Sequence, residues 1–314
     1  MPPVPHAPPS AGPASQERPF LALGLRLLAM LMASIMLLLV KLAGQHGVSL
    51  PETLFWRQFI PALAISGWVI ARGRIASLKT NRPMLHARRA VLGMGTMFMI
   101  LGTVRILPLA ESTVLGFTMP VFAVLLSVLL LREQVGPWRW AAVLLGLAGV
   151  LVIAGPDRSH LPLPGLALGL GAALGLALVS IQVRDMGRTE QTVTIVFWFS
   201  AIGALMLAPA LLVAGDRHDP WQWALLWGVG LSGLFTQLLL TSALRFGHVS
   251  SVIVMDYSQL IWAGLWGWLV FQQLPPATTW LGAPLVIAAG LIVTWREHVR
   301  RTPRRAVAAA TLAD

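Results

Sequence analysis

The stretch MDYSQLIWAGLWGW (255–268) sets an acid, the only tyrosine of the chain and an amide inside an apolar run. Asp256 offers a carboxylate for a cation or a coupling proton, Tyr257 a hydroxyl, and Gln259 both a donor and an acceptor. On a helix, Asp256, Gln259, Ala263, Trp266 and Gly267 share one face, polar at one end and small in the middle. That face suits a cavity lining, and Tyr257, Gly264 and Trp268 form the face beside it. Alternatively Asp256 pairs with Arg245 or a helix N-terminus and only holds helices together. An ionisable group inside a span costs about 2.5–3.5 kcal/mol on insertion scales, so it faces a partner or a cavity.

Arg57 is the second such group, with Pro61, Ala64 and Trp68 on its face. It needs a carboxylate, carbonyls or water, and Glu52 and Glu111 are the acids expected at its end of the membrane. Substrate recognition and an ion pair locking an outer gate both fit. Glu111 follows Pro108 in the first turn of a helix, where the dipole favours a carboxylate. Pro120 interrupts the hydrogen-bond ladder of its helix, and Gly116, Ala123 and Ser127 give that helix a small-residue stripe. Trp56, Trp198, Trp262 and Trp266 lie deep enough to stack on a flat substrate, or they pack against lipid. The candidate substrate-binding set is therefore Asp256, Tyr257, Gln259, Trp262, Trp266, Arg57, Trp56 and Trp198. Glu52, Glu111, Pro120 and Asp256 are the candidate gate or coupling residues.

These residues must be positioned by membrane helices. The 314-residue chain is 56% hydrophobic and only 11% charged, against about 25% charged in a soluble domain. A span takes about 20 apolar residues, so there is room for roughly ten. The absence of cysteine excludes disulfides, thiolate metal sites and cysteine nucleophiles. Neither H-E-x-x-H nor G-x-S-x-G occurs, and His86, His160, His218 and His248 read as isolated loop residues. No enzyme activity, cofactor or metal is expected. The net charge of +11 reads as basic loops at a membrane, not as nucleic-acid binding.

Spans are expected near 20–42, 52–71, 88–106, 108–131, 138–155, 165–184, 192–214, 221–244, 249–271 and 279–295. Alternate loops divide the cations unevenly. One set holds Arg18, Arg72, Arg74, Lys79, Arg82, Arg88, Arg89, Arg132, Arg139, Arg184, Arg188, Arg245 and the tail arginines. The other holds only Lys41, Arg105, Arg158 and Arg217. The positive-inside rule then puts both termini in the cytoplasm. Residues 1–18 read as a disordered cytoplasmic tail and 298–314 as a basic one.

The chain also matches itself at an offset near 140. Gly93 and Arg105 align with Gly233 and Arg245, LLLREQVGP (129–137) with LVFQQLPPA (269–277), and ETLFWRQF (52–59) with TIVFWFSA (194–201). Arg57 thereby falls opposite Phe199, Asp256 opposite Gly116 and Tyr257 opposite Phe117. Two five-helix repeats, 19–156 and 163–297, are expected, and an odd number of spans inverts the second. The fold class is an all-α integral membrane protein of ten helices in two inverted halves, an architecture that secondary transporters use for alternating access.

Residues 20–297, through LLLREQVGP and YSQLIWAGLWGWLVFQQLP, resemble the drug/metabolite transporter superfamily with two EamA-type domains. The segments LPLAESTVLGFTMPVFAVLLSVLLLREQVGPWRW, RDMGRTEQTVTIVFWFS and MDYSQLIWAGLWGWLVF look most like its branch of S-adenosylmethionine and riboflavin uptake carriers. The resemblance implies a ten-helix basket in the inner membrane, with a cavity lined by the first four spans of each half. It implies transport of a small metabolite, such as S-adenosylmethionine, riboflavin or an amino acid, by a monomer or homodimer. An exporter of the same fold, or a non-transporting membrane protein, is the alternative. Where the family often carries Glu in a pattern like F-G-E-x-P, this chain has Gln273, so a mechanism built on Glu133 and a matched acid does not carry over.

Overall fold

The computed structural model describes residues 19–131, 136–154, 162–187, 189–214, 217–246 and 254–311. Its helices are α1 (Pro19–Gln45), α2 (Leu50–Ala71), α3 (Pro83–Ile106), α4 (Leu109–Gly116), α5 (Met119–Leu131), α6 (Pro137–Ala154), α7 (Leu163–Met186), α8 (Thr192–Ala214), α9 (Pro220–Phe246), α10 (Ser258–Phe271) and α11 (Ala277–Thr311). Nine spans long and apolar enough to cross a membrane occur among the described residues, with α4 and α5 forming one of them. The expected ninth span is represented by a 3-10 turn, Val254–Tyr257, followed by α10. Its expected first residues, 249–253, and Glu133 lie outside the described residues.

Proline sets several helix starts, because the first turn has no use for its missing N–H. Pro83 opens α3, Pro137 opens α6 and Pro220 opens α9. At α9 the Asp219 Oδ1 also accepts from the Gln222 backbone N–H at 2.7 Å, a side-chain cap. Pro83 corrects the expected third span: α3 begins five residues before position 88, so His86 and Arg89 are helical. The break in the fourth span falls at Phe117–Thr118, where Pro120 starts the second half in its first turn. The last helix runs on through the expected tail to Thr311.

The packing is symmetric under exchange of the repeats. The first helix of each repeat lies along the third of the other, α1 on α9 and α7 on α3. Equivalent helices pair with each other, α2 with α8 and α6 with α11, and α4 of the broken fourth span packs on α10 of the ninth. At the α6–α11 seam a Cβ on Gly149 would stand 2.9 Å from the Gly282 carbonyl oxygen, and one on Gly282 2.6 Å from that of Gly149. Only glycine permits so close an approach, and small residues of this kind let membrane helices pack. A buried apolar cluster, including Met36, Leu54, Leu101, Val229 and Ala263, joins helices from both repeats.

Candidate functional site

The α2–α3 and α7–α8 connections share one end of the bundle. There Thr80 Oγ1 donates to Glu190 Oε1 at 2.6 Å, Thr194 Oγ1 to the Ser77 carbonyl at 2.7 Å, and Arg82 pairs with Asp185 at 3.3 Å. The α1–α2, α3–α4 and α8–α9 connections share the other end, where charged side chains are buried and partnered. Glu52 Oε1 meets His218 Nε2 at 2.5 Å. Lys41 Nζ donates to the Leu107 carbonyl at 2.7 Å. Arg105 Nη2 donates to Thr53 Oγ1 at 2.7 Å, and Glu111 Oε1 accepts from Thr279 Oγ1 at 3.0 Å. These contacts tie α1, α2, α3, α4, α11 and the α8–α9 connection together at this end.

Between mid-bundle and the α7–α8 end lies a cavity of about 230 Å³. Arg57, Gln58 and Pro61 reach it from α2 and Arg89 from α3. Val183 comes from α7, Thr192, Ile195, Val196, Phe199 and Ser200 from α8, and Gly233 and Gln237 from α9. It therefore sits where the second helices of the two repeats cross. Arg57 is 6% exposed; its Nη1 donates to Gln58 Oε1 at 2.8 Å, and its Nε lies 3.4 Å from Met36 Sδ. The Arg89 guanidinium stacks 4.3 Å from the Phe199 ring centroid, a cation–π contact.

Of the sequence-derived candidates, Arg57 alone lines this cavity. Its expected counter-charges are engaged elsewhere, Glu52 by His218 and Glu111 by Thr279. Asp256 forms a two-pronged pair with Arg26 of α1, at 2.5 and 2.6 Å; the side chain of Arg245 lies outside the described ones. Asp256 and Tyr257 stand in the 3-10 turn, not on one helix with Gln259, because the chain tightens before α10 begins. Tyr257 packs edge-on against Phe117. Trp266 Nε1 donates to Ser34 Oγ at 3.2 Å, joining α10 to α1. Gln259 and Trp262 are half-buried on α10.

Trp56 stands edge-on to Trp223 at 5.2 Å, beside Trp227, and both of those rings are exposed. It belongs to the outer face of α2 and α9. Trp198 Nε1 donates to the Leu78 carbonyl at 2.9 Å, tying α8 to the α2–α3 connection. Of the histidines read as isolated loop residues, His86 lies in a helix and His218, which does lie in the α8–α9 connection, is not isolated. His86 is buried in α3, with Nε2 3.7 Å from Glu190 Oε1, and His218 is buried against Glu52. Arg89 and Gln58 are the cavity residues that sequence reasoning misses, and Arg26 is the missed partner of Asp256. Arg26 does carry a signal, being a charge inside the first apolar run.

The model of the EamA-like transporter family matches the chain twice, at residues 20–155 and 163–295. The chain belongs to this family. The S-adenosylmethionine uptake transporter of Rickettsia prowazekii is 26% identical over 78% of this chain and 83% of its own length. The riboflavin transporter of Vibrio cholerae is 31% identical, over 73% and 77%. The pseudopaline exporter of Pseudomonas aeruginosa is 29% identical, over 84% and 93%. A crystal structure at 20% identity shares the fold, with a TM-score of 0.58 over 87% of this chain and 97% of that one. The transporter is thus a multi-pass membrane protein whose two family units coincide with the two halves of the bundle.

Proposed function

We propose that the chain is a secondary carrier of the cytoplasmic membrane that moves a small metabolite by alternating access, not by turnover of a bond. The observation that carries this reading is the cavity at the α2–α8 crossing, built by both repeats, with buried, partnered charges between it and the α8–α9 end. An inverted pair of packed halves can exchange which end is closed by rocking one against the other. Both termini are in the cytoplasm on this reading. It is supported by the exposed Arg72, Arg74 and Arg88 at the α7–α8 end. The structure is then the inward-facing side of the cycle. Each chain carries its own cavity on this reading, as a monomer or within a homodimer.

Relatives named for uptake and for export both match, so the fold sets no direction. Counterflow in proteoliposomes tests the reading. Vesicles preloaded with unlabelled S-adenosylmethionine, riboflavin or amino acids are offered the labelled compound. Transient accumulation above equilibrium is expected for one of them. Leakage-level entry for all of them would contradict carriage of this substrate class.

A further inference from the structure

Arg57 and Arg89 share the cavity, and none of the described residues lining it is acidic. Both cations come from the first repeat. Arg57 falls opposite Phe199 in the repeat alignment, and Phe199 lines the same cavity. The second repeat supplies hydroxyls, an amide and apolar groups: Thr192, Ser200, Gln237, Ile195 and Val196. Charges elsewhere in the bundle have partners, Arg26 on Asp256 and Glu52 on His218. A pair of guanidiniums in a membrane interior without a counter-charge is unfavourable unless something brings one.

The geometry leaves donors available for that purpose. Nε and Nη1 of Arg89 are buried and have no hydrogen-bond partner among the described residues. Arg57 spends one Nη on the neutral Gln58 oxygen and its Nε on a methionine sulfur. Gln58 is itself steered by the Phe199 carbonyl and Met94 sulfur, each 3.4 Å from its Nε2, so it positions Arg57. Guanidinium forks match carboxylate and phosphate oxygens in pairs of hydrogen bonds. The cavity volume of about 230 Å³ is below the roughly 300–1,000 Å³ of sites for drug-sized ligands.

We propose that this cavity is an oxyanion site: Arg57 and Arg89 together grip the carboxylate or phosphate of a compact organic anion, whose apolar part lies against Ile195 and Val196. The assignment rests on the carrier reading and narrows its substrate class to compounds that carry a carboxylate or phosphate.

The test is ligand-induced thermal stabilisation of the purified full-length chain. One arm offers amino acids, hydroxy acids and S-adenosylmethionine, each beside its methyl ester. A second arm offers phosphate monoesters beside their parent alcohols, and riboflavin serves as the neutral heterocycle. At least one carboxylate or phosphate compound is expected to raise Tm while its methyl ester or parent alcohol does not. Arg57→Gln and Arg89→Gln should each weaken that compound roughly tenfold or more. Arg89→Lys, which keeps charge and bulk but loses the fork, should fall between them and the parent and guards against a folding defect. Arg88→Gln, on the exposed face of the same helix, should bind as the parent does. Stabilisation by no carboxylate or phosphate compound, equal stabilisation by the ester or parent alcohol, or binding by both glutamine variants within about twofold of the parent would each overturn the assignment. The carrier reading fails separately: anion binding without counterflow removes transport and keeps the site, whereas counterflow of riboflavin alone keeps transport and removes the site.

Discussion

Phe117 and Tyr257 stand at equivalent places in the two repeats, and their rings meet edge-on with centroids 4.9 Å apart. A residue that touches its own repeat mate lies beside the axis relating the halves. The contact therefore places the Pro120 break and the turn before α10 at the centre of the bundle.

Tyr257 also explains a nearby glycine. A Cβ on Gly290 would overlap the Tyr257 hydroxyl severely, while the next atoms are at 3.3 and 3.6 Å. Gly290→Ala should destabilise the transporter by about 1–3 kcal/mol, the usual range for overpacking. Tyr257→Phe alone should be close to neutral, and in that background Gly290→Ala should lose most of its effect. Thermal unfolding of the four proteins checks this. Additive single effects would show that the hydroxyl is not what the glycine avoids.

The Arg26–Asp256 pair ties α1 to the turn before α10. Its side chains are 11% and 31% exposed, so removing one partner should cost less than the about 3–5 kcal/mol of a fully buried pair. Asp256→Asn and Arg26→Gln should each lower stability by about 1–2 kcal/mol. The exchange of both charges, Arg26→Asp with Asp256→Arg, should recover part of it. Stability of the exchanged protein no better than that of either single variant would show that the two charges act separately.

Gly93 and Gly233 are repeat mates, and each faces a side chain from the second helix of the other repeat. A methyl group placed on Gly233 would come no closer than 3.6 Å to Arg57, whereas one on Gly93 would stand 2.6 Å from the Phe199 ring. Alanine should therefore be tolerated at 233 and not at 93. Gly93→Ala, which also meets Arg89 Nη1, should lose about 1–3 kcal/mol and weaken anion binding. Gly233→Ala should unfold within about 0.5 kcal/mol of the parent. Unfolding curves with and without the stabilising anion measure both effects, and equal losses at the two positions would contradict the packing described.

The fold is legible in the sequence because hydropathy marks the spans and the odd count of spans per repeat implies the inversion. The charge partners are not, since Arg26 and Asp256 are 230 positions apart and no periodicity connects them. Arg89 is hidden by its neighbour. Arg88 and Arg89 together look like a basic loop, but a helix begun at Pro83 turns Arg88 outward and Arg89 into the cavity. Asp256 stands out in the sequence for its rarity in an apolar run, and the structure gives it a partner on α1. Arg57 stands out for the same reason and is the candidate that lines the cavity.

The chain contains no cysteine, which gives the central claim a direct measurement. Ser200 is 3% exposed and lines the cavity from α8. Ser200→Cys in the full-length protein is labelled with a membrane-impermeant maleimide in right-side-out and inside-out vesicles, with Arg88→Cys as the one-sided control. Alternating access predicts that Ser200→Cys reacts from both faces while Arg88→Cys reacts only from the cytoplasmic one. Reaction of Ser200→Cys from a single face, or from neither, would contradict it.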